Sequence, residues 1–249
     1  MIHSFLLIGQ SNMAGRGYLD EAREINCERI YTLRNGQFQP MFRPINPDRA
    51  HAGISLAESF AERYAEVHGV DVGLICCADG GSMLAEWQPG RLLYDHAVCQ
   101  AKLAQRTSTI AGVLWHQGEA DCNAICYPTY RERFETVMNA LRKDLDLYDV
   151  PFLLGGIGDF IADLRDYYAV HYPLLNNTFQ EIAKENPMTG YVSAAGLKGN
   201  PDNIHFSAEA LYEFGHRYFE VFETLRDKNK VFEEKAPEGD GVHSEFVAL

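Results

Sequence analysis

The stretch SFLLIGQSNMAGRG, residues 4–17, decides the fold. Phe5–Ile8 is an unbroken apolar run that stops at Gly9, and Gln10, Ser11 and Asn12 follow at once. A strand apolar on consecutive residues has both faces covered, as in a parallel sheet packed between helices. The glycine frees the backbone to turn, and the polar triplet then stands at the carboxyl end of the strand. Ser11 reads there in two ways: as the cap of a following helix, or as a nucleophile presented at the sheet edge.

The same pattern recurs along the chain. Val72–Cys77, Ile110–Trp115, Phe152–Gly155 and Tyr191–Ala194 are further apolar runs of strand length. Between them, apolar residues recur at helical spacing in Leu56, Phe60, Tyr64, Val67, in Tyr130, Phe134, Val137, Leu141, and in Leu211, Phe214, Tyr218, Phe222. An early piece, Arg29–Leu33, runs into Asn35-Gly36, a turn signal for a short hairpin. Strands alternating with helices predict an α/β fold with a parallel central sheet covered on both faces. In such a sheet the strand C-terminal ends share one edge, where ligands bind. If Arg29–Leu33 is the second strand of a flavodoxin-like 2-1-3-4-5 order, the last strand lies three neighbours from the first, roughly 14 Å away. There is no internal repeat and no mid-chain linker. Residues 1–227 are expected to form one domain, and residues 228–249 a charged tail containing Pro237, Gly239 and Gly241.

The 249 residues are 46% apolar and 12% aromatic, which suits a sizeable core and excludes a disordered chain. A net charge of -13 argues against a nucleic-acid backbone or an anionic membrane as partner. No apolar run approaches the ~18 residues of a membrane span, and the first is too short for a secretory signal. The expected location is therefore cytoplasmic. Of six cysteines, Cys76 and Cys77 lie in an apolar run, and Cys122 and Cys126 lack zinc-site spacing, so reduced packing cysteines are expected. Neither a metal nor a cofactor is expected, because the chain also lacks a P-loop and a dinucleotide fingerprint. The acidic surface and aromatic last helix leave a homo-oligomer open.

Each predicted strand is followed by a polar or glycine-rich cluster: GQSNMAG, ADGGSMLAEW, HQGEADC, GGIGDF and GLKGNPDNIHF. Ser11 needs a base, since a free hydroxyl is barely ionised at neutral pH. Among nine histidines, His205 stands out because Asp202, three residues earlier, is placed to hold its tautomer. His116 is the rival base, with Glu119 and Asp121 nearby. The loop from Ala195 to His205 extends to about 33 Å, so reach to Ser11 is no obstacle. Donors for a developing oxyanion are the Ser11 N–H, the Gly80-Gly81 turn and the Gln117 amide. Gln10 and Asn12 are expected to brace the turn, and Trp87 and Trp115 to serve the core or cleft wall. Met13 breaks the G-x-S-x-G pattern, against an ordinary α/β-hydrolase elbow.

GQSNMAGRG, GGSMLAEW, WHQGEAD and DNIHFS, in that order, resemble the SGNH-type carbohydrate acetylesterases. The branch they look most like is the sialate O-acetylesterase and acetylxylan esterase-like family, carbohydrate esterase family six. The resemblance implies a flavodoxin-like three-layer α/β/α sandwich. It implies a metal-free serine esterase acting on acetyl esters of sugars such as xylo-oligosaccharides or sialic acids. It also implies Ser11 as nucleophile, His205 as base, Asp202 as orienting acid, and an oxyanion hole of Ser11, Gly80 and Gln117. Gln117 departs from the asparagine of the wider group, a departure this branch shares.

Overall fold

The computed structural model describes residues 1–227. The tail expected over residues 228–249 lies outside the described residues. A seven-stranded sheet runs in the order β3-β2-β4-β1-β5-β6-β7. Its strands are β1 (Ile2–Gly9), β2 (Ile30–Arg34), β3 (Gln37–Pro40), β4 (Asp71–Cys76), β5 (Thr109–His116), β6 (Phe152–Gly155) and β7 (Thr189–Val192). All pairings are parallel except the β2–β3 hairpin, which turns at Asn35-Gly36 as expected.

Alternation along β1 builds the two halves of the core. Leu6 and Ile8 face a layer formed by α3 (Leu92–Ala104), α4 (Tyr130–Leu145) and α5 (Asp166–Glu185), whereas Phe5 and Leu7 face α2 (Leu56–His68) and α6 (Ala208–Leu225). The stripes predicted for α4 and α6 are buried throughout; in α2, Val67 is exposed in the last turn. Helix α2 starts in a capping box, with Ser55 as cap and Glu58 reaching back to its N–H.

Two expectations need correction. The Arg29–Leu33 piece is not the neighbour of β1, because β4 lies between them. Burial explains the order: β4 is buried on four successive residues and takes the place beside β1, whereas half-exposed β2 lies farther out, with β3 at the edge. The main strands without that hairpin keep the 2-1-3-4-5 order, and β7 lies three neighbours from β1. The last strand also ends two residues before Ala194, because Ser193 and Ala195 belong to the loop above the sheet, where their carbonyls accept from Arg217.

Candidate active site

The nucleophile candidate is placed by the end of β1. Gly9 has φ 132°, and a Cβ there would stand 2.1 Å from the His116 carbonyl oxygen, so only glycine lets β1 close so tightly on β5. The Gln10 N–H donates to that carbonyl at 2.9 Å, and the chain turns into the short helix α1 (Ser11–Ala14). Gln10 Oε1 accepts from the N–H groups of Gly118 and Ala120. The expected bracing role thus falls on the loop after β5.

Ser11 Oγ lies 3.0 Å from His205 Nε2, and His205 Nδ1 lies 2.7 Å from Asp202 Oδ2. Asp202 Oδ1 accepts from the N–H groups of Ile204 and His205, both at 3.0 Å, which folds the loop around its own carboxylate. Partial burial pushes the Asp202 carboxyl up. The bonds from these N–H groups and from the imidazole outweigh it and hold the carboxyl below its ordinary range.

Asn12 ties this loop to the rest of the edge. Its Nδ2 donates to Glu119 Oε1 at 2.6 Å and to the Ile204 carbonyl at 3.0 Å, and its Oδ1 accepts from the Phe206 N–H at 3.1 Å. Both neighbours of His205 are therefore gripped by one side chain. Glu119 is fully buried and also lies 2.9 Å from His116 Nε2. Burial raises the Glu119 carboxyl, but His116 and Asn12 beside it bring it below its ordinary value. His116, the rival base, is buried between the rings of Phe206 and Phe214 and has no hydrogen bond to Ser11.

The expected oxyanion donors are differently placed. The Ser11 N–H has no hydrogen-bond partner among the described residues, and nor does that of Gly81. The Gly80 N–H donates to Asp48 Oδ2 at 2.8 Å. Gln117 Nε2 donates to Asp121 Oδ2 at 2.6 Å and to the Ser82 carbonyl at 3.2 Å, which occupies both of its hydrogens. Trp87 is core, with Nε1 donating to Ser82 Oγ, and Trp115 is also buried. The described cysteines are all free, and burial pushes the Cys76 thiol up to about 12. Among the described residues, no group of three His, Cys, Asp or Glu could hold a metal ion, and no helix is long and apolar enough to cross a membrane.

Two site residues escaped sequence reasoning. Asp48, in the loop before α2, carries no pattern that foretells its bond to Gly80. Asn200 precedes Pro201 and so reads only as a turn. Its N–H donates to the His205 carbonyl at 2.7 Å, and its Nδ2 donates to the Arg16 carbonyl at 3.1 Å.

The strand order and the polar edge at its carboxyl ends define a doubly wound α/β protein with its candidate site above the middle of the sheet. The model of the family described as carbohydrate esterase, sialic acid-specific acetylesterase, matches residues 1–224, and the chain belongs to that family. It is thus a carboxylic ester hydrolase of the carbohydrate acetylesterases, which cleave O-acetyl esters of carbohydrates. A probable carbohydrate esterase of Arabidopsis thaliana, At4g34215, is 26% identical over 237 residues, which cover 85% of this chain and 86% of the relative. The solved structure of that protein matches with a TM-score of 0.76 at 24% identity, covering 89% of this chain and 98% of the other. NanS matches with a TM-score of 0.72 at 18% identity, over 90% of this chain and 97% of the other. XAC1771, a carbohydrate acetylesterase from Xanthomonas citri, gives 0.65 at 20% identity, over 90% of this chain and 56% of the other. At these identities the solved structures speak for the fold alone.

Proposed function

We propose that the chain is a serine O-acetylesterase in which Ser11 is the nucleophile, His205 the general base and acid, and Asp202 its orienting partner. One observation carries this reading: His205 stands between Ser11 Oγ at 3.0 Å and Asp202 Oδ2 at 2.7 Å. An ionised Asp202 only accepts, so Nδ1 must carry its proton, and Nε2 is left with a lone pair facing the serine hydroxyl. His205 takes the Ser11 proton as Oγ bonds to the acetyl carbonyl carbon. The tetrahedral intermediate collapses as His205 returns the proton to the departing sugar oxygen. A water molecule, deprotonated by His205, then attacks the acetyl-enzyme, and acetate leaves as Ser11 recovers its proton.

The Ser11 N–H is unengaged and is the first oxyanion donor. Gly80 and Gln117 are the second and third, each exchanging a present partner for the oxyanion. A donor at this position lowers the barrier by about 3 kcal/mol. The substrates are acetylated sugars, with O-acetylated sialic acids and acetylated xylo-oligosaccharides as the two classes to compare. Gln10, Asn12, Gly81, His116 and Glu119 support the site without reacting.

Acetate release should be measured across those substrates and an aryl acetate, for the parent, Ser11→Ala, His205→Ala and His116→Ala. Ser11→Ala should lose several orders of magnitude in kcat while keeping its fold, and the parent but not the variant should be labelled by a fluorophosphonate. Parent-like turnover by Ser11→Ala sinks the assignment. Loss in His116→Ala with His205→Ala active would move the base to residue 116.

A further inference from the structure

Arg16 and Asp48 form a two-pronged ion pair, Nη1 to Oδ1 at 3.0 Å and Nη2 to Oδ2 at 2.8 Å, with side chains only 3% and 5% exposed. Asp48 Oδ2 also accepts the Gly80 N–H at 2.8 Å. A Cβ on Gly80 would stand 2.3 Å from Arg16 Nη2 and 2.7 Å from Asp48 Oδ2, so the pair packs directly on this peptide. The Gly80 carbonyl accepts from Arg49 Nη2 at 2.9 Å, and the neighbouring Asp79 N–H donates to the Gly9 carbonyl at 3.0 Å. The Gly-Gly turn is thereby pinned on both sides and tied to the strand that carries Ser11.

Arg16 reaches the other two segments of the site as well. Its Nη1 donates to the Gly15 carbonyl at 2.8 Å, just after α1. Its own carbonyl accepts from Asn200, whose N–H donates to the His205 carbonyl. One residue therefore links the serine turn, the glycine turn and the histidine loop. A buried carboxylate beside a developing oxyanion would oppose it. Here Arg16 cancels that charge, and Asp48 is left as a fixed acceptor.

We propose that Arg16 and Asp48 are positioning residues of the esterase reaction. They hold the Gly80 peptide in register with Ser11 and His205, so that its N–H has only to leave Asp48 to meet the oxyanion. This rests on the reading of Ser11 as nucleophile.

The test is kcat and KM for an aryl acetate in Asp48→Ala and in the double variant Arg16→Met/Asp48→Leu. The double variant removes both charges at similar volume, a replacement that buried pairs commonly tolerate without loss of stability. Both variants should lose about 10- to 100-fold in kcat, with KM within about twofold of the parent. The acid limb of the pH–kcat profile should stay in place, whereas a general disordering of the site would move it. A folded double variant with parent-like or higher kcat, or one whose loss comes with a displaced acid limb, overturns the proposal. Ser11→Ala measured alongside separates the two readings: turnover there defeats the nucleophile assignment, whatever residue 48 does.

Discussion

Asn12→Ala removes three hydrogen bonds at once: those to Glu119 Oε1, to the Ile204 carbonyl and from the Phe206 N–H. The first involves a charged partner and contributes ~1.5–3 kcal/mol, and the two neutral bonds contribute ~1 kcal/mol each, about 4 kcal/mol in all. A domain typically holds ~5–15 kcal/mol, so the variant should fold with a lowered urea midpoint. The effect on turnover has a separate origin. The Asp202–His205 bond is internal to its loop and survives, but the loop loses its grip on both sides of His205. A shift of ~1 Å in a reacting group costs ~100-fold in rate. Acetate-release kinetics should therefore show kcat down by about two orders of magnitude, with KM little changed and the acid limb in place. Stability lowered by about 4 kcal/mol with kcat within threefold of the parent would refute the argument. Asn12 would then hold the fold together without aligning the base.

Asp202→Asn should lower kcat by about two to four orders of magnitude by releasing the His205 tautomer. Glu119→Gln keeps an acceptor for Asn12 and should cost less; the reverse ranking in steady-state kinetics would transfer the orienting role to residue 119. His3, buried against the Tyr64 hydroxyl at 2.8 Å, has its pKa lowered by burial to about 4. The unfolded chain thus binds the extra proton between the ordinary imidazole value of about 6.5 and about 4. Stability from this group is complete above the upper value and fades as pH falls toward the lower one. Urea midpoints of His3→Gln should vary less with pH across that window, and an unchanged pH dependence would count against the argument. Gly155→Ala would place a Cβ 2.0 Å from the Tyr218 hydroxyl and 2.5 Å from His116 Nδ1, both buried. It should destabilise by at least ~1–3 kcal/mol, and a parent-like melting curve would show that this packing gives way.

The sheet was legible because its strands are buried on both faces. Phe5–Ile8 and Phe152–Gly155 have no polar residue to obscure them, and their apolar length alone marks them. The place of the Arg29–Leu33 piece was less legible, since strand order depends on which strand needs two covers. That need shows only when β2 and β4 are compared by burial. Ser11, His205 and Asp202 were legible from local grammar: a polar triplet at a strand end, and a carboxylate three residues before an imidazole. The engagement of Gly80 and Gln117 was not, because the partners that take their hydrogens, Asp48 and Asp121, are chosen by the fold. The role of Asn12 was only half legible, since the turn it braces includes a loop 192 residues away.

The topology explains why those ties exist. β1 is the middle strand, and its direct neighbours β4 and β5 run into the loops that carry Gly80 and Gln117, so the strand order brings both loops to the edge that carries Ser11. In the β1–β5 ladder Gly9 pairs with His116, which puts Gln117 level with the start of the serine turn. His205 has no such advantage. It follows β7, three strands away, on a loop that no ladder holds in line with Ser11. Its 3.0 Å approach to Ser11 comes from local bonds instead: the Asn12 side chain holds Ile204 and Phe206, and the Asn200 N–H holds the His205 carbonyl. Substitution of the Asn12 side chain should therefore impair turnover through the placement of His205. Substitutions within β4 and β5 act first through the sheet, and should reach the reaction only when the sheet itself yields.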